Sequence, residues 1–256
     1  MRKTGFSIPG VSHIIAIASG KGGVGKSTTT VNLALALKNS GLRVGILDAD
    51  IYGPNQPHML GENRKPELRD NTHFVPIERY GLQTMSMGYL VQDEAPMVWR
   101  GPMVSKALHQ MLYQTAWENL DYLLIDLPPG TGDVQLTLSQ KTPLNGAIIV
   151  TTPQTIALLD AEKGLLMFQK VGVPILGVIE NMSEYICEQC GHKAHIFGDN
   201  GAETLAKKYD ALLLGKIPLD LRIRECGDAG KPIVLAEPES EVAKRYREIA
   251  EKIVRV

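Results

Sequence analysis

The chain alternates short, almost wholly apolar runs with longer stretches of mixed polarity. Residues 13–19 (HIIAIAS), 44–48 (VGILD), 122–126 (YLLID), 146–151 (GAIIVT) and 175–180 (ILGVIE) are five such runs, and 211–217 is a sixth. A strand with apolar side chains on both faces belongs in a parallel sheet covered on both sides, so these runs predict buried parallel strands. Segments of helical length lie between them. Residues 26–38 are apolar nearly all round from Val31 to Leu37, as in a helix buried against a sheet. Residues 104–117 and 156–171 also have helical length and composition. This alternation predicts a doubly wound α/β fold, a mostly parallel sheet with helices on both faces. Residues 55–94 are less regular and carry Pro57, Pro66 and Pro76, so loops with a short strand or two are expected there. Near the C-terminus, Val242, Ala243, Tyr246, Ile249, Ala250 and Ile253 make one apolar stripe on a helix over 239–254. Its other face mixes Glu241, Lys244, Arg245, Glu248 and Glu251, which suits a helix docked on the body. A membrane-surface helix needs a mainly basic face there.

At 256 residues the chain is long enough to bury a core without covalent staples. No linker, repeat or low-complexity tract interrupts it, so a single domain over 1–256 is expected, with an insertion near 185–198. Lys plus Arg number 27 and Asp plus Glu 28, a net charge of −1, which argues against a wholly basic nucleic-acid binder. No stretch approaches the ~18 apolar residues of a membrane span. Residues 1–10 lack the apolar core and cleavage site of a signal peptide. The expectation is a cytoplasmic protein with no membrane and no nucleic-acid partner. Three cysteines are too few, and too odd a number, for a disulfide scaffold. Two of them stand as Cys187-x-x-Cys190, which in a reducing compartment reads as metal or redox chemistry.

The run at 13–19 leads straight into Gly20-Lys21-Gly22-Gly23-Val24-Gly25-Lys26-Ser27-Thr28, and a predicted helix follows. Strand, glycine-rich loop, Lys-Ser and helix are the parts of a P-loop in the required order. Glycines let backbone N–H groups curl around phosphate oxygens, and the new helix adds its positive end. Lys26 is expected to reach the terminal phosphates and Ser27 to ligate Mg²⁺. Asp48 and Asp50 stand at the end of the second strand, where parallel sheets bind ligands. Asp126 ends an apolar run in the manner of a Walker B carboxylate, placed to hold the Mg²⁺ shell opposite Ser27. Residues 128–133 (PPGTGD) read as a switch loop, with Gly130 free to turn toward a γ-phosphate.

The second lysine, Lys21, gives the loop a resemblance to the deviant P-loop class that includes MinD, ParA, the arsenite pump ATPase and the nitrogenase iron protein. The resemblance implies that Lys21 reaches across a dimer to the partner's nucleotide, as an arginine finger does. Such a group is worth about 10³–10⁵ in rate. It also implies that Asp50 positions the attacking water and touches the Mg²⁺ shell, with Asp48 in a supporting place. The two carboxylates are not separable from sequence. Asn181 resembles the class's adenine-reading asparagine, with the segment up to Pro218 as the other wall of the base pocket.

Further motifs sharpen the resemblance: Asp48-Ala-Asp-Ile-Tyr-Gly-Pro-Asn, Trp99-Arg-Gly-Pro-Met, the stretch 121–133, and Glu180-Asn-Met-Ser followed by Cys-x-x-Cys. Together they are similar to the Mrp/ApbC family from His13 to about Val234. Asn55 departs from the family's usual Ser there, one small polar residue for another. The resemblance implies ATP binding and slow hydrolysis, a homodimer, and a [4Fe–4S] cluster handed to apoproteins. Many members carry an extra N-terminal domain, and one eukaryotic branch a four-cysteine N-terminal motif. The sequence shows neither, so only a bridging cluster is expected.

Cys187 and Cys190 supply two thiolates where a four-ligand centre needs four. A twofold axis supplies the partner's pair and gives Cys₄ for a [4Fe–4S] cluster. Alternatively, His192 and His195 complete a zinc site within one chain, at unusually tight spacing. A metal-free redox pair is the third reading, though a thioredoxin-like motif opens a helix and this one lies in a loop. Cys226 reads as a small, partly buried hydrophobe. Outside this class of function, a MinD/ParA-like positioning ATPase would share every nucleotide residue and leave Cys187 and Cys190 unexplained.

Overall fold

The apolar runs form six neighbouring strands of one eight-stranded sheet, the last of them at its edge. The computed structural model describes residues 7–90, 101–187 and 189–255. Trp99 and Arg100 of the Trp-Arg-Gly-Pro-Met motif, the first six residues and Glu188 lie outside the described residues. In chain order the first elements are β1 (Val11–Ala18), α1 (Lys26–Asn39), β2 (Val44–Asp48), α2 (Gln56–Leu60), β3 (Leu68–Arg69), β4 (His73–Phe74), β5 (Ile77–Arg79), β6 (Leu82–Ser86) and α3 (Met87–Leu90). Then come α4 (Gly101–Tyr113), β7 (Leu120–Asp126), α5 (Asp133–Lys141), β8 (Gly146–Thr151), α6 (Thr155–Lys170) and β9 (Ile175–Glu180). The last are β10 (Tyr185–Ile186), β11 (Lys193–Ala194), α7 (Gly201–Lys208), β12 (Leu213–Lys216), α8 (Leu221–Asp228), α9 (Ile233–Ala236) and α10 (Glu241–Arg255).

The sheet order is β12-β9-β8-β1-β7-β2-β6-β5. Its pairings are parallel except the edge pair β5–β6. The chain leaves β1 toward β2 on one side and later returns to place β8 on the other. β1 therefore borders the switch point, where an open α/β sheet leaves a crevice beyond its strand ends. Side chains alternate across the sheet. Ile14, Ala16 and Ala18 join a core with Val104 and Leu108 of α4 and Leu165 and Phe168 of α6. Ile15 and Ile17 face the opposite core, with Leu33 and Leu37 of α1 and Tyr246 and Ile249 of α10. Helix α1 is wrapped by sheet and helices, which explains why it is apolar all round. The whole α10 stripe, Val242 through Ile253, is buried.

Residues 55–90 hold more order than their pattern predicts, and 91–94 lie outside the described residues. β6 extends the sheet beside β2, and β5 closes the edge. β6 reads Leu-Gln-Thr-Met-Ser, so half its buried positions are polar. They are buried because each hydroxyl has a partner: Thr84 Oγ1 donates to the Ile77 carbonyl (2.9 Å) and Ser86 Oγ to Asp48 (3.0 Å). Hydrophobic pattern cannot see strands stabilised in that way. Helices α5, α7 and α8 are also additions to the predicted set.

Candidate nucleotide cleft and cysteine hairpin

The loop after β1 is held by two kinds of glycine. Gly23 (φ +80°) and Gly25 (φ +82°) take the left-handed conformation that other residues avoid. Gly20 is squeezed instead: a Cβ there would lie 2.1 Å from the backbone of Asp160 on α6. The loop and the first turn of α1 line one side of an open cleft of about 280 Å³, through Gly22, Gly23, Gly25, Lys26, Ser27 and Thr28. Ser19, Asp50, Asn55, Met59, Pro129 and Met182 line the rest. Val24 turns its side chain into the core.

Behind the cleft lies a buried charge cluster. Sheet register sets Asp48 directly across from Asp126 and Ile17 across from Asp126. Two carboxylates thus sit on neighbouring strands at the level where the glycine loop begins. Asp126 Oδ1 accepts from Lys26 Nζ (2.6 Å) and Thr30 Oγ1 (3.1 Å), and its Oδ2 from Gln56 Nε2 (2.9 Å). Lys26 Nζ is also 3.9 Å from Asp50 and donates to Ser27 Oγ at 3.3 Å.

The geometry separates Asp48 from Asp50. Asp48 is fully buried and its oxygens accept from Asp50 N (3.2 Å), Gln56 N (3.1 Å) and Ser86 Oγ (3.0 Å). It pins the segment that carries Asp50 and α2. Asp50 is the carboxylate that reaches the cleft. Burial, and then repulsion from Asp126, hold the Asp48 carboxyl well above the usual carboxylate range. Burial also raises Asp50, with Lys26 pulling the other way. Asp50 and Asp126 share one lysine, an excess of negative charge that a divalent cation relieves. The donor set of Ser27, Asp50 and Asp126 is all oxygen, as magnesium requires.

Other expected site residues lie at the margin. Lys21 is half-buried and its Nζ donates to Gln154 Oε1 (3.4 Å), outside the cleft lining of its own chain. Asn181 is buried, and its Nδ2 donates to the Val24 carbonyl (2.8 Å), so the amide holds the glycine loop from behind. A Cβ on Gly25 would collide with that same Nδ2, at 2.1 Å. Pro218 follows β12 and is not part of the cleft lining. Gly130 (φ +98°) donates its N–H to the Ser19 carbonyl (2.9 Å), and Gln135 Nε2 donates to the Pro128 and Pro129 carbonyls.

Sequence reading misses Thr30, Gln56, Asn55, Met59 and Met182. Thr30 had a signal, since it lies four residues after Lys26 and shares its helix face. Gln56 had none, standing in an irregular Pro- and Gly-bearing stretch. Met182 carries φ +54°, a left-handed conformation uncommon outside glycine, at the edge of the cleft.

The cysteines sit on a separate hairpin. β10 pairs with β11, antiparallel, Tyr185 across from Ala194 and Ile186 across from Lys193, and a single parallel bridge joins Tyr185 to Leu219 after β12. The Cys187 N–H donates to the His192 carbonyl (2.9 Å), and the Gly191 N–H returns to the Cys187 carbonyl (2.8 Å). Cys187 is half-buried and Cys190 exposed. His195 Nδ1 donates to the Ser183 carbonyl (3.1 Å) and faces Asp199 (3.7 Å). Among the described residues no group of three or more His, Cys, Asp or Glu side chains is gathered as a metal site. The one-chain zinc arrangement is therefore not assembled. Cys226 packs against the α1 and α10 core, and burial pushes its thiol up. No helix among the described residues is long and apolar enough to cross a membrane.

Glycine loop, Lys-Ser, facing carboxylates and a mostly parallel sheet with its switch point at β1 define a P-loop NTPase. A family model described as ParA: NUBPL iron-transfer P-loop NTPase matches residues 10–254. The chain belongs to that family. It is 60% identical over 247 residues to the iron-sulfur cluster carrier protein of Escherichia coli K12, covering 96% of this chain and 67% of that protein. Among solved structures, the ADP complex of the nucleotide-binding protein from Archaeoglobus fulgidus matches with a TM-score of 0.80 and 37% identity, over 92% of both chains. The cell division ATPase MinD of Pyrococcus furiosus matches with a TM-score of 0.70 and 26% identity, over 95% of this chain and 98% of that one.

Proposed function

We propose that this chain is an ATP-dependent iron–sulfur cluster carrier, whose cargo is a [4Fe–4S] cluster bridged between two copies by Cys187 and Cys190 of each and passed to apoproteins. The observation that carries the proposal is a thiol pair on a solvent-facing hairpin that begins four residues after Asn181, the residue bonded to the nucleotide loop. A two-thiolate half-site completed by symmetry needs no further ligands from either chain.

In this reading Lys26 turns from Asp126 to the phosphate oxygens of ATP. Asp126 and Ser27, with Asp50 at one remove, are then left to hold magnesium, which supplies charge neutralisation at the phosphates. Asp50 orients the attacking water. Lys21, resting on Gln154, lies outside its own cleft, which suits a residue acting on the partner's nucleotide. Nucleotide state reaches the cysteines through Asn181, which bonds the loop with its side chain and leads by backbone into the hairpin. Such coupling requires ATP to favour one dimer arrangement over another. The carrier works among protein partners in a reducing compartment such as the cytoplasm.

The positioning-ATPase reading shares the cleft and gives the cysteines no task. The buried stripe of α10 is not presented for membrane binding. Anaerobic reconstitution with iron and sulfide tests the proposal. Wild-type protein is expected to take up about four irons per dimer with absorbance near 400 nm. A Cys187→Ala, Cys190→Ala double variant that loads the same iron would end the assignment.

A further inference from the structure

Gln56 does more than fill space beneath the cleft. It is buried to 1% exposure at the start of α2. Its Nε2 donates to two acceptors at once, the Ser27 carbonyl (3.0 Å) and Asp126 Oδ2 (2.9 Å). Neither partner can donate to an amide oxygen, so the orientation of the amide is fixed by chemistry. That leaves Oε1 buried with no hydrogen-bond partner. A buried amide oxygen without a donor is uncommon in a folded protein and calls for a specific account.

The charge cluster around it explains the orphan. Asp126 divides its oxygens: Oδ1 faces Lys26 and Thr30, and Oδ2 faces Gln56. Gln56 thereby fixes which oxygen of Asp126 is offered to a cation. The unmatched Oε1 belongs to the same amide and so lies within one amide group of that carboxylate. The other groups that enter with a nucleotide are phosphate oxygens, which are acceptors and cannot satisfy it. A hydrated divalent ion brings O–H donors, and magnesium keeps several of its waters when bound.

We propose that Gln56 is a positioning residue of the magnesium site, its Nε2 holding Asp126 and its Oε1 accepting from a water of the ion's shell. This inference rests on the reading of the cleft as a magnesium–nucleotide site. It assigns a task to a residue that neither the P-loop nor the Walker B pattern contains. It also separates two effects. Loss of Gln56 should leave the phosphate cradle of loop 20–25 intact and weaken the metal specifically.

The test is binding of fluorescent mant-ADP to wild type and to Gln56→Met, which keeps the side-chain length and removes both polar atoms. In EDTA the two proteins are expected to bind mant-ADP within twofold of one another. In a magnesium titration, the ion concentration giving half of the metal-dependent signal is expected to rise about tenfold in the variant, the size of one lost charge-assisted hydrogen bond. An unchanged magnesium midpoint overturns the proposal. An equal loss of affinity with and without magnesium also overturns it, since that marks a structural role through Ser27. If Gln56→Met does not fold, Gln56→Asn withdraws the same groups by one methylene and carries the same expectation. Wild-type protein that binds no mant-ADP overturns the nucleotide reading itself, an outcome distinct from failure at Gln56 alone.

Discussion

The nucleotide cleft and the cysteine hairpin lie six residues apart, at Asn181 and Cys187, and are built on opposite plans. Behind the cleft, Asp48, Asp126, Lys26 and Gln56 are buried and answer one another within a single chain. The hairpin leaves Cys190 and most of its other side chains exposed, with Cys187 half-buried, and no group of three or more metal-ligating side chains is gathered there among the described residues. In the proposed reading, one site is complete except for its cation and substrate, and the other is half of a site. In that reading, the chemistry that needs a fixed electrostatic frame is kept inside the fold, and the chemistry that hands cargo to another protein is held at the surface.

The contrast can be broken most sharply at Lys21, which the proposed function assigns to the partner's nucleotide. Lys21→Ala is expected to lower ATP hydrolysis by about 10³-fold while ADP affinity changes little. Steady-state phosphate release beside ADP titration measures both. If hydrolysis survives, the cleft is complete within one chain and the comparison becomes stricter. The thiol variant tests the other half. Cys187→Ala, Cys190→Ala is expected to bind ADP within about twofold of wild type, because the hairpin contributes nothing to the cleft lining. A tenfold loss would mean that the two regions are one.

Asn181→Ala probes the tie between them. It removes the donor to the Val24 carbonyl and is expected to cost about 1–3 kcal/mol in urea unfolding, the price of an unmatched buried group. It should weaken ADP binding as well. A change under ~0.5 kcal/mol would show that the glycine loop holds its shape unaided. The smallest effect is expected beyond both regions, at the C-terminal end of α2. The side-chain hydrogen bond from Arg64 holds the Glu62 carboxyl down at about 2, against 4.5 in an exposed chain. A depressed carboxyl stabilises the fold above the higher value, and that contribution is lost as pH falls from 4.5 toward 2. Glu62→Gln should therefore flatten the acid limb of a stability–pH curve, by the small amount that an ion pair with an exposed arginine gives. An acid limb identical to wild type would show that the Glu62–Arg64 pair contributes nothing to the fold.

Much of this was legible in the residues alone. The five apolar runs, the glycine loop and Asp126 fall where the pattern places them, because burial on both faces and phosphate geometry leave few alternatives. Three things were hidden. β6 is held by hydroxyl hydrogen bonds, which hydropathy does not register. Asp48 and Asp50 look alike in sequence, and only the register of β2 on β7 shows that one is sealed and the other reaches the cleft. Gln56 arrives through the turn after β2, and no spacing rule connects position 56 with Asp126 across the sheet.

The closeness of the hairpin's two ends has one more consequence. Its strands pair with each other outside the main sheet, one bridge ties Tyr185 to Leu219, and its two ends meet where His195 Nδ1 reaches the Ser183 carbonyl, 3.1 Å away. A segment whose entrance and exit touch is a cassette: it can be cut out and its ends rejoined by a short turn, or exchanged for another, without reopening the sheet. The engine and its hook can therefore be inherited, and engineered, as separate parts.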